Sequence, residues 1–357
     1  MPTLNEELLD QTITREVFLQ RYGNGLANKV LRLLAKQERA IEAKLAKGGA
    51  ITTKRILEQR LVEIRKIIRL TTPQIETLMH RELHNLALTE ADYAASGIKN
   101  GIKKHGGATV ASGMPQPNLA AIATATTAQP FQGRLLKEWM REFEGATARG
   151  IRNAIRIGFV EGETLDQITE RVKGIKRNRF RGSTFKKARD NSEAIVRTAI
   201  NHYSNFARQK AFEGMGDALS GMQWRSTLDG RTTPICQARD GEVYPVNSGP
   251  RPPAHINCRS GMTPVVKSAE QLGLRKNATR ASMDGQIPAD LSYNDFLKGK
   301  VKSDFKFVED LLGKKKARLF RDGGLDVQNF VNPRGQVYTL KELKRDYTSA
   351  WKKAGLN

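Results

Sequence analysis

The chain has 357 residues, of which 39% are hydrophobic, and it carries 31 glycines and 13 prolines. These proportions exclude collagen-like, low-complexity and wholly disordered polymers, and the length allows two or three domains. Lys and Arg number 60 against 37 Asp and Glu, a formal charge of +23, where a small soluble domain usually carries a magnitude of about 2–8.

Such an excess favours a polyanionic partner. Nucleic acid is preferred to lipid because no basic amphipathic helix with exposed aromatics stands out. No apolar run approaches the ~18 residues of a membrane span. The first seven residues, Met1 to Glu7, are acidic and polar, unlike a secretory signal, so synthesis in a cytoplasm is expected. Two cysteines, Cys236 and Cys258, are too few for a disulfide framework.

In chain order, Leu26, Val30, Leu33, Leu34, Ile41 and Leu45 recur at three- and four-residue spacing and predict a helix ended by Gly48 and Gly49. Ile56, Leu57, Leu61, Ile64, Ile67 and Ile68 predict a second. Thr71-Thr72-Pro73 reads as an N-cap followed by proline at the first helical position, so a third helix is expected from there toward Gly97. Residues 1–105 are therefore expected to form an N-terminal domain of three helices. His80 and His84 share a helix face, but Arg81 stands where a metalloprotease motif needs Glu, and the pair is read as bordering a helix contact. Residues 106–131, rich in Ala, Thr, Gly and Pro and nearly free of charge, predict a linker or extended strap.

Leu135, Trp139, Phe143, Ile151, Ile155 and Phe159 predict the next helix, and Thr164 to Gln167 reads as a capping box. A further helix carries Ile195, Ala199, His202, Phe206 and Ala207 and ends at Gly214. The period then changes. Met222, Trp224 and Ser226 predict a strand running into a turn at Asp229-Gly230, and Gly241 to Pro245 a second strand. Residues 132–266 thus form a domain of helices and a β-hairpin. Residues 267–357 form a basic C-terminal extension of short helices, with Lys314, Lys315, Lys316 and Arg318 clustered. The predicted fold class is mainly α with a small α+β C-terminal part.

Two groups of residues bear chemistry. Between residues 171 and 189 lie Lys173, Lys176, Arg177, Arg179, Arg181, Lys186, Lys187 and Arg189, answered locally by Asp190 alone. They are candidate DNA contacts, because cations set against phosphates gain affinity by releasing counterions. The second group is Cys236, His255 and Cys258, with Asp240 as an uncertain fourth. Thiolate, imidazole and carboxylate are ligands that zinc accepts. Two buried thiols beside a histidine bonded to backbone, or a Cys–His nucleophile, use the same residues. Neither a GxxxxGK[ST] phosphate loop nor a GxSxG elbow is present, and no catalytic constellation is complete. Zinc is the single cofactor the residues suggest.

Arg197 to Asn201, then Trp224 to Thr232, Cys236, Asp240 to Tyr244, and Pro252 to Arg259 together resemble the phage Mu protein F-like family, the minor head (head morphogenesis) proteins of tailed bacteriophages. The likeness covers about Ile195 to Val266. Ala281 to Asp290, Lys316 to Phe320 and Tyr338 to Leu343 resemble an extension found in some of them. Ser260 stands where many members have a further Cys, which removes one candidate ligand. The resemblance implies a minor capsid protein near the portal vertex of the virion, present in several copies around the portal. It would touch the packaged double-stranded DNA genome and assist head assembly or genome ejection. Its implied partners are the portal protein, the major capsid protein and the genome, with residence in the host cytoplasm during assembly. The competing expectation is a zinc-dependent or Cys–His enzyme delivered into the host with the genome.

Overall fold

A computed structural model describes residues 4–47, 49–104, 108–175, 179–215, 218–266, 279–288 and 291–356. The fold is mainly α-helical with a small β part, as the periodicities predict. Among the described residues, no helix is long and apolar enough to cross a membrane. The chain forms two compact units, each assembled from separated stretches: Met1–Phe18, Glu90–Leu119 and Asn205–Asn357 make one, Leu19–Thr89 and Ala120–Ser204 the other. These units do not follow divisions at residues 105, 131 and 266. Helices α1 (Leu4–Lys47), α2 (Lys54–Lys104) and α7 (Thr184–Glu213) contribute to both.

The unit containing Leu19–Thr89 is all helix. Ile41, Leu45, Leu57, Ile64 and Ile68, the stripe residues of α1 and α2, pack with Ile151 and Ile155 of α5 (Leu136–Val160) and Ile168 and Val172 of α6 (Leu165–Lys173). At Gly158 a Cβ would come within 2.6 Å of Ile168 Cγ1, so α5 and α6 can approach only because that side chain is absent. The predicted capping box is formed: the Thr164 hydroxyl accepts from Gln167 N–H, and the Gln167 side chain accepts from Thr164 N–H.

Two expectations are corrected here. The helix break at Thr72-Pro73 does not occur, and α2 runs through Pro73 as one 51-residue helix. Proline leaves a carbonyl without its donor one turn earlier. Polar side chains flank that gap, with Thr71 Oγ1 donating to Ile67 O, Thr72 Oγ1 to Ile68 O and Gln74 Nε2 to Leu70 O. Buried Ile64, Ile68, Ile75 and Met79 continue the apolar stripe past the proline, so packing outweighs the local stop signal. The N-terminal hundred residues therefore hold two long helices rather than three. The extended strap is likewise replaced by helices α3 (Ala108–Gly113) and α4 (Leu119–Ala128). Alanine has the highest helix propensity, and Thr124, Thr126 and Thr127 return their hydroxyls to the carbonyls four residues back.

In the other unit the predicted hairpin partners are β1 (Leu219–Arg225) and β2 (Val243–Tyr244), antiparallel with Met222 opposite Tyr244. A third strand, β3 (Gly261–Val266), was not anticipated. It pairs with β1 on its other side, Trp224 opposite Met262, giving the order β2-β1-β3. Nearly every β3 residue is buried, so no alternation marks it, and Pro264 is tolerated because the strand lies at an edge. Trp224 is fully buried, and its indole N–H donates to Ser226 Oγ at 3.0 Å.

The C-terminal stretch begins with a β-hairpin, β4 (Thr279–Ser282) and β5 (Gly285–Pro288). Five short helices follow: α9 (Tyr293–Ser303), α10 (Phe305–Leu312), α11 (Lys314–Arg321), α12 (Leu340–Asp346) and α13 (Thr348–Lys353). Their buried Leu297, Val308, Leu319, Leu343 and Trp351 form one core that includes Leu228. The extension is thus joined by packing to the turn after β1.

Candidate functional site

The cationic segment lies at the end of α6 and the start of α7. Much of its charge is answered by acids, some close in sequence and two, Glu42 and Glu38, far from it. Arg171 pairs with Glu161 and Glu163, Lys173 with Glu42 at 3.0 Å, Lys186 with Asp190, and Arg189 with the buried Glu38. Arg179, Arg181 and Lys187 are exposed and make no ion pair with a described residue. Lys176 and Arg177 lie outside the described residues. The candidate DNA contacts therefore fall into two physical classes, those that hold the helices together and those that face solvent.

In the other unit Cys236, His255 and Cys258 come together. Thr233 and Pro234 start helix α8 (Pro234–Arg239), proline occupying a position where its missing N–H costs nothing, and this places Cys236 inward. After the cis bond between Pro252 and Pro253 the chain turns at Asn257, φ 61°, and Cys258 N–H donates to His255 O at 3.2 Å. Cys236 Sγ then lies 3.2 Å from His255 Nε2 and 3.7 Å from Cys258 Sγ, and all three donor atoms fall within 4.8 Å of one another. His255 Nδ1–H donates to Ile256 O at 2.8 Å.

The electrostatics follow from this contact. The hydrogen bond from the Cys236 thiol holds Cys258 down to about 4, helped by the His255 ring, and the same contact pushes Cys236 up. Burial alone would depress His255, but the sulfur of Cys258 bonded to its ring reverses this and raises it.

Asp240 is not part of the cluster. Its carboxylate accepts from Arg280, from Ser226 N–H and from Tyr293 N–H, which uses both oxygens. Arg259 is also taken, its guanidinium bound to both oxygens of Asp229 at 2.6 Å. Burial would raise Asp229, and these bonds outweigh it, holding the carboxyl down to about 2. Beside the cluster is a recess of about 10 Å³ lined by Thr227, Thr232, Cys236, His255 and Ser260, room for about one water. Ser226 links its parts, donating to Cys236 O and lying 3.3 Å from Ser260 Oγ. Arg280 is not distinguishable in the sequence, because it acts through Asp240 and Ser226, 40 and 54 residues away. The bond from Ser226 to Cys236 O is likewise made only by folding.

Residues 149–263 match the family model described as Phage Mu protein F like protein. The match takes in the C-terminal part of α5, the cationic segment, α7, the hairpin and the Cys–His cluster, and so begins well before Ile195. No curated protein and no solved structure matches the chain.

Proposed function

From the Mu F-like domain at residues 149–263, which supports membership of a phage head morphogenesis family, we propose that this protein is a minor head component. It would lie near the portal vertex and contact packaged DNA during head assembly or genome delivery. The family match carries the head assignment. DNA contact is supported by the formal charge of +23 and by Arg179, Arg181 and Lys187, which project from the matched domain without an ion-pair partner among the described residues. Charges of this kind bind duplex through counterion release and need no base-specific geometry.

Portal and major capsid protein are the proposed protein partners, with several copies around the vertex. Labelling the protein in purified particles and locating it by electron microscopy tests the placement. Uniform labelling over the shell, or particles without the protein at every stage of assembly, would refute it. Absence of salt-dependent retention on duplex DNA would remove the DNA contact and leave the head assignment standing.

The Cys–His cluster has no catalytic part in this proposal. Its thiols are buried, and the adjoining recess of about 10 Å³ accepts one small occupant rather than a substrate.

A further inference from the structure

We propose that Cys236, His255 and Cys258 bind one zinc ion in a Cys2His site whose fourth position is left to a water beside Ser260. The inference is independent of the DNA contact proposed above. Two thiolates bound tetrahedrally about 2.3 Å from one zinc sit about 3.8 Å apart, and a thiolate and an imidazole nitrogen about 3.6 Å apart. The distances here are 3.7 Å for Cys236 Sγ to Cys258 Sγ and 3.2 Å for Cys236 Sγ to His255 Nε2, so small adjustments seat the ion. A disulfide would instead need the sulfurs about 2.0 Å apart.

The surroundings suit a ligand set. His255 Nδ1–H is committed to Ile256 O, which fixes the tautomer and leaves the Nε2 lone pair aimed at the thiols, as is usual for metal-bound histidines. The carboxylates near the cluster are occupied elsewhere, Asp240 by Arg280, Asp229 by Arg259 and Glu16, whose charge reaches Cys258, by Arg208, so among the described residues no fourth anionic ligand joins the group. Ser260 fills that side, 2% exposed, hydrogen-bonded to Cys236 and lining the one-water recess. A neutral serine hydroxyl is a much weaker zinc ligand than a thiolate. The ion would clip α8 to the loop ahead of β3, joining positions 22 residues apart in a segment with little regular structure.

The test uses the full-length protein purified without chelators. Elemental analysis is expected to give one zinc per chain. Replacement by Co(II) is expected to give the visible bands of a tetrahedral site, with charge transfer from two thiolates. Ser260→Cys is expected to tighten zinc at least tenfold in competition with a chromophoric chelator and to change the Co(II) spectrum to three thiolates. Cys258→Ser is expected to lose stoichiometric metal. Should that variant not fold, the wild-type and Ser260→Cys spectra still decide. Wild-type protein without bound metal that also takes up no Co(II) overturns the proposal. So does a Cys236–Cys258 disulfide, found by mass spectrometry of protein prepared under reducing conditions.

Discussion

Arg280 and Asp240 face each other in a buried, doubly bonded ion pair, Nη1 to Oδ2 at 2.8 Å and Nη2 to Oδ1 at 2.7 Å, with side chains 4% and 0% exposed. The pair crosses from β4 to the end of α8 and ties the C-terminal stretch to the domain that contains the cysteines. Asp240 also receives Ser226 N–H and Tyr293 N–H, and Arg280 donates to Ser226 O. One carboxylate thus organises three separate chain segments.

Removing one partner of such a pair strands the other in a site without water. Asp240→Asn and Arg280→Met are each expected to destabilise the protein by about 3 to 5 kcal/mol. The double variant is expected to lose less than the sum of the two, because neither charge is then left alone. Urea unfolding of the single variants and the double variant measures this, and strict additivity would contradict the coupling.

The cationic segment gives a prediction that separates fold from binding. Neutralising Arg179, Arg181 and Lys187 together is expected to reduce the slope of log K against log salt for duplex DNA by roughly 2 to 3, at about 0.9 per phosphate contact. Stability is expected to change by less than about 0.5 kcal/mol. Arg189→Ala is expected to do the opposite, because Glu38 is buried and loses its partner. A cost of about 1 to 3 kcal/mol with little effect on the salt slope is the expected outcome, read from urea midpoints and binding isotherms in parallel.

His202 supplies a pH dependence. It is buried against Phe131, ring centroids 5.5 Å apart, and Tyr203 at 5.6 Å. Burial pushes it down to about 4 from the usual 6.5. Between those values the unfolded chain holds a proton that the folded chain does not. Its contribution is therefore complete above pH 6.5 and fades as the pH falls toward 4. At pH 4.5 the expected loss is about 2 to 3 kcal/mol relative to pH 7.5. His202→Gln, which cannot titrate, is expected to flatten that part of the stability curve. Identical acid slopes for the two proteins would rule the histidine out.

Pro73 offers a substitution expected to stabilise. It is exposed in the interior of α2, where it removes one helical hydrogen bond. Pro73→Ala is expected to raise stability by about 1 to 3 kcal/mol, seen as a higher urea midpoint. A fall would mean that the helix axis is bent at this point to fit its neighbours.

Much of this molecule is written locally. The stripes from Leu26 to Leu45 and from Ile56 to Ile68 are legible because a helix brings residues three and four apart onto one face. The Thr164 capping box and the strand ending near Ser226 are legible because a cap and a turn involve only a few neighbouring residues. Cys236, His255 and Cys258 could be nominated as a group by residue type, and the folded chain places them within contact of one another.

Other features depend on partners far away in the chain. Pro73 reads as a helix start until the burial of Ile75 and Met79 is known. The Ala/Thr run after residue 119 reads as a strap until Ala123 and Thr126 are seen to be buried. β3 has no alternation to reveal it, since both its faces are covered.

Side-chain identity and short-range spacing were enough to establish a helical, strongly cationic chain with a cysteine–histidine knot. Which cations remain exposed, which carboxylates are withdrawn from that knot, and which segments share a core were decided only by folding. An ion pair such as Arg189–Glu38 or Arg280–Asp240 forms between residues 151 and 40 positions apart. Its energy depends on the distance and burial that the tertiary structure imposes, and neither has a counterpart in the linear order.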